Sequence, residues 1–384
     1  MFDYTFKRKK TWISVLILDL IGSIFFFLRS RELPREIQRI LVVRLDHLGD
    51  IAMSTPFFSR LREQFPAAEI HLLADENYVD LFDNDARFDQ VIPFEDHWFS
   101  RSSKVHWFHA LRKALELRRA GYDLGFDLRG DFRNIFFFLF LAGVKFRISY
   151  GIRGGGFLLN HSPLYPHQAH ESEKSVNLLA SLVSKDLKTG FPKIEVNPEL
   201  QKKMSLKLER MGRNYSKKIV GVHLGAGYPS KQWREDNFRK VIDAILDKDS
   251  YQICLFGRKN EVNLPDDFLE QQGILNCLGA TSIKELAGLI SLFDYFIGND
   301  SGPAHIAAAL QVPVLSIFSG TNRLEEFKPL AKSAEIVHKD MECSPCEEKI
   351  CPLGHHHCME LITVDEVTEA FWKLTSCEKE EVGS

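Results

Sequence analysis

Short apolar runs alternate with amphipathic stretches along the first half of the chain. The predicted strands are residues 40–43, 69–73, 90–94, 122–126 and 146–150. The predicted helices are 50–65, 104–119 and 134–141, and 151–170, which has three consecutive glycines, is predicted to be a mobile loop. Uninterrupted apolar strands are typical of parallel sheets that helices cover on both faces. The first half is therefore predicted to be α/β, with a mostly parallel sheet.

The same rhythm returns in the second half. Its predicted strands are 218–224, 251–256, 274–277, 295–297 and 314–318. Ser282 with Glu285, and Thr363 with Glu366, have the spacing of capping boxes and mark helix starts. We predict two doubly wound, Rossmann-like domains, 38–190 and 191–384, preceded by a separate segment 1–37. Such domains place an interdomain cleft at the carboxyl ends of their strands.

The first segment carries positive charge around an apolar run. Residues 1–44 contain nine Lys/Arg and four Asp/Glu, and the apolar run extends from residue 12 to 28. The run is short for a spanning helix and contains Asp19, and a small-residue cleavage site is missing. We predict a helix that lies on the cytoplasmic leaflet with its apolar side in the membrane. The alternative is a helix packed on the surface of the protein itself.

Composition narrows the class of protein. With 384 residues, 45% of them hydrophobic, the chain is long enough for two packed cores. A net charge of −3 argues against general nucleic-acid binding. Seven cysteines, an odd number, argue against a fully paired secreted framework, so we expect a reducing compartment.

The turn after the strand at 295–297 has the layout of a phosphate site. Gly298 and Gly302 allow a sharp turn and close approach of a ligand, and Pro303 suits the first position of a helix. Asp300, Ser301 and His305 add hydrogen-bonding side chains to the free N–H groups of the helix start. The alternative is that Asp300 or Ser301 only caps the helix.

Three motifs occur in this order: RLDHLGD at 44–50 followed by Thr55-Pro56, SKQW at 230–233, and DSGPAH at 300–305, with an arginine-containing segment at 127–134. Together they resemble glycosyltransferase family 9, the ADP-heptose:lipopolysaccharide heptosyltransferases. The similarity runs from about residue 38 to about 375 and leaves out the first segment. It implies a GT-B fold. It also implies inverting, metal-independent transfer of a heptose from ADP-heptose to a lipopolysaccharide-core acceptor, with no cofactor required.

The resemblance also implies roles for single residues. Asp50 matches the catalytic base, with Asp46 as a rival and a simple helix-start acid as the alternative. Lys231 matches the lysine that binds the diphosphate, although a surface lysine is the alternative. Glu261 is expected at the ribose and Thr281 at the base pocket. The nucleotide-sugar site further includes Asp300, Ser301, Gly302, Pro303 and His305.

Two further groups of residues concern the donor and the acceptor. Ala226 and Gly227 stand where the family has hydroxyl residues before the lysine loop, so some contacts to the diphosphate are left to backbone N–H groups. On the acceptor side, we expect arginines to meet phosphate or carboxylate groups, although each can also be a solvated surface charge. These arginines are Arg129, Arg133, Arg147 and Arg153.

A cysteine-rich segment follows the last predicted strand. Cys343, Cys346, Cys351 and Cys358 have thiols close enough in sequence for a structural Zn²⁺, although free thiols or local disulfides are alternatives. We expect no catalytic metal.

The function predicted from these residues is a heptosyltransferase-like enzyme, peripheral on the cytoplasmic face of the inner membrane. Its expected partners are an ADP-sugar, a lipid-linked saccharide and the membrane surface, and no nucleic acid. The alternatives are a relative that uses another nucleotide sugar or acceptor, and a nucleotide-sugar-binding protein without turnover. A Rossmann dehydrogenase is disfavoured because neither half has a Gly-x-Gly-x-x-Gly turn after its first strand.

Overall fold

The chain forms two compact units. A computed structural model describes residues 9–26, 32–95, 107–183 and 186–381. One unit consists of residues 1–47 and 56–190, and the other consists of residues 48–55 and 191–384. Parts of three predictions lie outside the described residues. They are the basic residues at 7–8, the end of the apolar run at 27–28 and the helix start at 104–106.

A five-stranded sheet forms the centre of the first unit. Its strands are β1 (Arg39–Arg44), β2 (Glu69–Asp75), β3 (Gln90–Phe94), β4 (Leu124–Asp127) and β5 (Phe146–Ile148). They lie in the order β3-β2-β1-β4-β5, and every paired neighbour is parallel. The parallel sheet predicted from the apolar runs is confirmed. β1 is buried from Ile40 onward, as expected of a strand covered on both faces.

Helices connect these strands. In chain order to residue 183 they are α1 (Lys9–Phe26), α2 (Leu48–Met53), α3 (Thr55–Gln64), α4 (Trp107–Arg118), α5 (Phe132–Asn134) and α6 (Glu171–Val183). The single helix predicted at 50–65 is divided into α2 and α3. Pro56 lies in the first turn of α3, where its missing N–H leaves no helical hydrogen bond unmade.

The phenylalanine-rich run continues α5 with a wider helical turn. Ile135–Leu141 is a π-helix, and Phe137, Phe138 and Leu139 are buried in the core against α4. The hydrophobic periodicity predicted a helix here, but it does not distinguish π from α geometry.

Helix α1 packs on the surface of the first unit. Asp19 is fully buried, and its Oδ1 accepts a hydrogen bond from Gly155 N (2.9 Å). A Cβ placed on Gly154 would lie 2.6 Å from Val15 Cγ1, so only glycine admits the helix at this distance. The stretch predicted to be a mobile loop is thus a docking surface with a short 3-10 helix, Gly156–Leu158. Among the described residues, no helix has the length and apolar character needed to cross a membrane.

The second unit has a six-stranded parallel sheet. Its strands are β6 (Lys218–His223), β7 (Tyr251–Gly257), β8 (Ile274–Leu278), β9 (Tyr295–Asn299), β10 (Val314–Phe318) and β11 (Ala334–His338). Their order is β11-β10-β9-β6-β7-β8, with all pairs parallel. The sequence pattern missed β11 because this edge strand is half-buried throughout and has no continuous apolar run.

The described residues after 190 contain eight α-helices of the second unit. They are α7 (Pro198–Arg210), α8 (Glu235–Leu246), α9 (Asp266–Leu269), α10 (Ile283–Ile290), α11 (Gly302–Ala309), α12 (Leu324–Phe327), α13 (His357–Glu360) and α14 (Val364–Glu381). Both predicted capping boxes are confirmed. Ser282 and Glu285 exchange hydrogen bonds at the start of α10, and Thr363 and Glu366 do so before α14.

Candidate functional site

The carboxyl ends of β6 and β9 are joined by one buried amide. Asn299 Nδ2 donates to Leu224 O (2.7 Å), and its Oδ1 accepts from Trp233 N (3.0 Å). Asn299 lies in β9. Its side chain therefore connects β9 both to the end of β6 at residue 224 and to the loop that contains Lys231. Asn299 was missed by sequence reasoning because it reads as an ordinary turn residue.

Lys231 and Asp300 form a largely buried ion pair in the second unit. Lys231 Nζ donates to Asp300 Oδ2 (2.7 Å), and Asn322 Nδ2 donates to the same oxygen (3.1 Å). The Asp300 side chain is 3% exposed and that of Lys231 is 12% exposed. Side chains from two other loops thus converge on the Asp300 carboxylate, and the lysine expected at a diphosphate lies beside the phosphate-type turn.

Ser301 does not cap the helix that follows it. It occupies the position before α11, but its side chain makes no capping bond and its Oγ lies 3.4 Å from His223 Nδ1. Gly302 and Pro303 open α11 as predicted, and His305 is buried in its first turns. The alternative in which Ser301 only caps the helix therefore lacks the capping hydrogen bond that it requires.

A buried histidine lies next to this turn. Burial, with the nearby Arg258 charge, lowers the pKa of His223 to about 4, so the ring is neutral at physiological pH. His223 pairs with Gly298 in the parallel register of β6 and β9. Sequence reasoning missed it, although its position at the end of a buried strand was the available signal.

Glu261 lies over two glycines beside His223. A Cβ on Gly225 would be 2.7 Å from Glu261 Oε2, and Gly257 has a φ of +133°, a conformation that favours glycine. Arg258 Nη1 approaches Glu261 Oε1 at 3.5 Å. Thr281 is half-buried and directly precedes the α10 cap. The Glu261 carboxylate therefore packs directly against the Gly225 backbone, and the roles of Glu261 at a ribose and Thr281 at a base stay predictions.

The cysteine-rich segment supports the lysine loop. Ser230 N donates to Lys349 O (3.2 Å), Ser230 Oγ donates to Glu348 O (2.6 Å), and His356 Nε2 contacts Ser230 O (2.9 Å). Cys343, Cys346, Cys351 and Cys358 are free thiols. In the part of the chain that the structure describes, no three His, Cys, Asp or Glu side chains are grouped to hold a metal. The structural zinc stays a prediction.

Asp50 belongs to the second unit by its packing. It lies in the first turn of α2, which packs on α11. A Cβ on Gly49 would lie 2.8 Å from His305 Cδ2, and one on Gly302 would lie 3.1 Å from Leu48 Cβ. The sequence places Asp50 in the first half of the chain, whereas the fold groups it with Lys231 and Asp300. Its side chain is partly exposed.

Asp46, the rival to Asp50, is buried in an ion-pair cluster. Its carboxylate contacts Arg44 Nε (3.0 Å) and Arg129 Nη1 (2.5 Å). Burial alone would raise the pKa of Asp46, but the two guanidinium groups outweigh burial and hold it below its usual value. A carboxylate with these partners is a weak base.

The four candidate acceptor arginines differ in their surroundings. Arg133 is paired with Asp131 through Nε (2.8 Å) and Nη2 (2.9 Å), and Arg129 is paired with Asp46. Arg147 donates to the carbonyl oxygens of Val144 and Leu158 and lies over the Phe140 ring, so the fold uses its donors.

Arg153 is the arginine best suited to an external anion. Its guanidinium makes no hydrogen bond or ion pair with any residue that the structure describes. Burial and the repulsion of Arg129 lower the pKa of Arg153, so its surroundings favour an added negative charge. The acceptor site stays a prediction, and Arg153, with the charges of Arg129 and Arg133 nearby, is its strongest candidate.

Asp127 holds the loop that carries two of these arginines. Its Oδ2 accepts from Gly130 N (2.8 Å) and Asp131 N (3.1 Å), and its Oδ1 accepts from Asn134 Nδ2 (2.9 Å). Burial raises the pKa of Asp127 to about 6 despite these bonds.

Known proteins provide an independent comparison. The family model for glycosyltransferase family 9 (heptosyltransferase) matches residues 108–357. Lipooligosaccharide heptosyltransferase 2 of Campylobacter jejuni serotype O:2 is 30% identical over 331 residues, which cover 84% of this chain and 93% of the relative. Lipopolysaccharide heptosyltransferase 3 of Escherichia coli K12 is 28% identical over 284 residues, covering 72% and 81%.

Solved structures share the fold. E. coli ADP-heptose lps heptosyltransferase II superposes with a TM-score of 0.71 at 21% identity, over 89% of this chain and 100% of that one. A family 9 glycosyl transferase from Veillonella parvula gives a TM-score of 0.78 at 20% identity, over 90% and 99%. At these identities the likeness concerns the fold, and it agrees with the two parallel-sheet units of a GT-B protein.

Proposed function

This chain belongs to glycosyltransferase family 9, the heptosyltransferases, and we propose that it transfers a heptose from ADP-heptose to a lipopolysaccharide-core acceptor. The observation that carries the proposal is the grouping of Lys231, Asp300 and Asn322 beside the phosphate-type turn, in the same unit as Asp50. A lysine beside the N-terminus of a helix suits a diphosphate, and a partly exposed carboxylate suits a base.

The proposed reaction is a single inverting displacement. Asp50 takes the proton of the acceptor hydroxyl while that oxygen attacks the anomeric carbon, and the bond from this carbon to the diphosphate oxygen breaks. ADP leaves with the bonding electron pair, and the proton stays on Asp50 until solvent removes it. Lys231 offsets the growing negative charge on the diphosphate. Because the lysine supplies this positive charge, the proposed reaction needs no metal ion.

The donor nucleotide is assigned to the neighbouring strand ends. Glu261, above Gly225 and Gly257, is proposed to accept hydrogen bonds from the ribose hydroxyls, with Thr281 at the base pocket. Ser301 and the first N–H groups of α11 are proposed to face the phosphates.

The acceptor is assigned to the arginines of the first unit. Arg153, with Arg129 and Arg133, is proposed to bind phosphate or carboxylate groups of a lipid-linked saccharide. The lipid anchor of that acceptor makes a membrane surface the place of reaction, so we extend the proposal to a peripheral position on the cytoplasmic face of the inner membrane. The exposed apolar residues of α1 support it.

The test is a transfer assay with the purified full-length protein, ADP-heptose and a lipopolysaccharide-core acceptor. ADP release and a product heavier by one heptose are expected. Lys231→Ala should lower kcat/KM by roughly 10²–10³. Since this variant leaves Asp300 without its cation, Lys231→Ala/Asp300→Asn is measured beside it. Lys217→Ala, which removes a surface pair with Asp249, is the matched control and should keep full activity.

Three results would contradict the proposal. A protein that binds ADP-heptose without releasing ADP would be a binding protein. Transfer from a different nucleotide sugar would replace the donor. Unchanged kcat/KM in Lys231→Ala would place the diphosphate elsewhere.

A further inference from the structure

Helix α4 exposes an apolar side. Trp107, Phe108, Leu111 and Leu115 are 53%, 75%, 39% and 53% exposed. Ala110, Ala114 and Leu117, on the side that packs on the core, are buried. A helix needs one apolar side to pack on its own protein, so the second apolar side of α4 is unexplained by the fold of the first unit.

Arginines border this exposed side. Arg112, Arg118 and Arg119 are exposed on the same helix or directly after it. The acid of this stretch, Glu116, is paired with Lys113 (3.2 Å), so the arginine charges are not balanced by it. The exposed side of α4 is therefore both apolar and cationic.

Helix α1 has a similar exposed side. Ile13, Ile17, Leu20 and Ile21 are each about half exposed, at 50%, 51%, 49% and 50%. Val15 and Asp19 face Gly154 and Gly155 of the first unit instead. Eight of the seventeen large hydrophobic side chains that are exposed among the described residues lie on these two helices, so they are concentrated rather than scattered.

A chain of aromatic contacts connects the two helices. Phe132 lies 3.1 Å from the Cβ position of Gly155, next to α1, and stacks on Phe136 at 5.6 Å. Phe136 contacts Phe137 at 5.1 Å, and Phe137 stacks on Trp107 of α4 at 5.8 Å. The side chains of Phe132, Phe136 and Phe137 therefore connect the glycine stretch under α1 with α4.

We propose that α1 and α4 form a single membrane-docking face that binds an anionic lipid bilayer. Trp107, Phe108 and the aliphatic residues enter the interface, and the arginines meet the headgroup phosphates. The choice of a bilayer rests on the lipid-linked acceptor of the proposed function. A second copy of the chain fits less well, because joining two such faces would bring like charges together.

Vesicle sedimentation of the full-length protein tests this face. The vesicles contain phosphatidylcholine with one quarter phosphatidylglycerol, or phosphatidylcholine alone. The wild type should bind the anionic vesicles more tightly, and Phe108→Glu/Leu115→Glu should weaken binding at least about tenfold. Leu206→Glu, on α7 of the second unit, and Leu164→Glu are matched controls at exposed leucines and should bind as the wild type does.

Some outcomes would overturn the proposal. The proposal is wrong if the wild type and the double variant bind vesicles equally well, or if the wild type does not bind vesicles. It is also wrong if the wild type is a dimer without lipid and the double substitution makes it a monomer. Melting temperatures check that all variants are folded.

The transfer assay separates this proposal from the proposed function. With a water-soluble acceptor fragment, Phe108→Glu/Leu115→Glu should have wild-type kcat/KM, and with acceptor in vesicles its rate should fall. If no variant transfers heptose but vesicle binding behaves as expected, the function is wrong and the docking face stands. If transfer is normal but vesicle binding is insensitive to α4, the docking face is wrong.

Discussion

Two carboxylates after β1 have opposite environments. Asp46 is buried between Arg44 and Arg129, while Asp50 is partly exposed on α2. Asp50→Asn keeps shape but removes the proton acceptor, so kcat/KM should fall by about 10²–10⁴ while ADP binding remains. Asp46→Asn should instead lower stability and weaken acceptor binding, because Arg129 loses the partner that fixes its position. Steady-state kinetics and urea unfolding of both variants distinguish the two roles. The base would be Asp46 if Asp50→Asn transferred heptose normally while a stably folded Asp46→Asn did not.

Asp127 should make stability depend on pH. Its pKa is about 6 in the folded protein, above the usual 3.8, so the folded state holds the proton more tightly than the unfolded chain. The stabilisation from the bound proton is lost as pH rises. Between about pH 4.5 and 7.5, the free energy of unfolding of the wild type should therefore fall by about 2 kcal/mol relative to that of Asp127→Asn. Urea unfolding at both pH values measures the difference. Parallel pH profiles of the two proteins would refute the role of Asp127.

At the scale of elements, the docking of α1 depends on Asp19. Asp19→Ala leaves Gly155 N–H without its partner, which should cost about 1–3 kcal/mol. Asp19→Asn keeps an acceptor and should cost less. Because the loss concerns α1 alone, protease cleavage within Lys9–Phe26 should speed up in Asp19→Ala before the rest of the chain is cut. Cleavage at the wild-type rate would show that other contacts hold the helix.

The cysteine-rich segment should act on the donor through the lysine loop. His356→Ala removes the contact with Ser230 O, and we expect the KM for the donor to rise several-fold with little change in kcat. His355→Ala, which removes a ring stacked on His357 instead, is the control. An unchanged donor KM in His356→Ala would separate this segment from the site.

Elements differ in how far local sequence determines them. Buried strands and the two capping boxes were predictable because their signals lie within a few residues. β11 was not, since a half-buried edge strand lacks an apolar run. The docking of α1 was only one of two alternatives, because Asp19 and Gly155 are 136 residues apart in sequence. Lys231 and Asp300 stand in recognisable motifs, whereas His223 and Asn322 join the site only through the register and loops of the folded sheet.

At the scale of the whole molecule, ADP should stabilise the folded chain. A ligand at about 100 times its Kd adds roughly 2.7 kcal/mol to the free energy of unfolding when it binds only the folded state. Thermal unfolding with ADP, UDP, GDP and CMP should show the largest rise in Tm for ADP, and Lys231→Ala should reduce that rise. A larger shift with another nucleotide would change the donor assignment.

The path of the chain between units constrains recombination with relatives. Residues 48–55 precede most of the first unit in sequence but pack with the second, where Gly49 meets His305 and Leu48 meets Gly302. A chimera that exchanges only residues 191–384 would combine α2 of one parent with α11 of the other. Working hybrids should therefore inherit 48–55 and 191–384 from the same parent, so the functional unit of exchange is discontinuous in the gene.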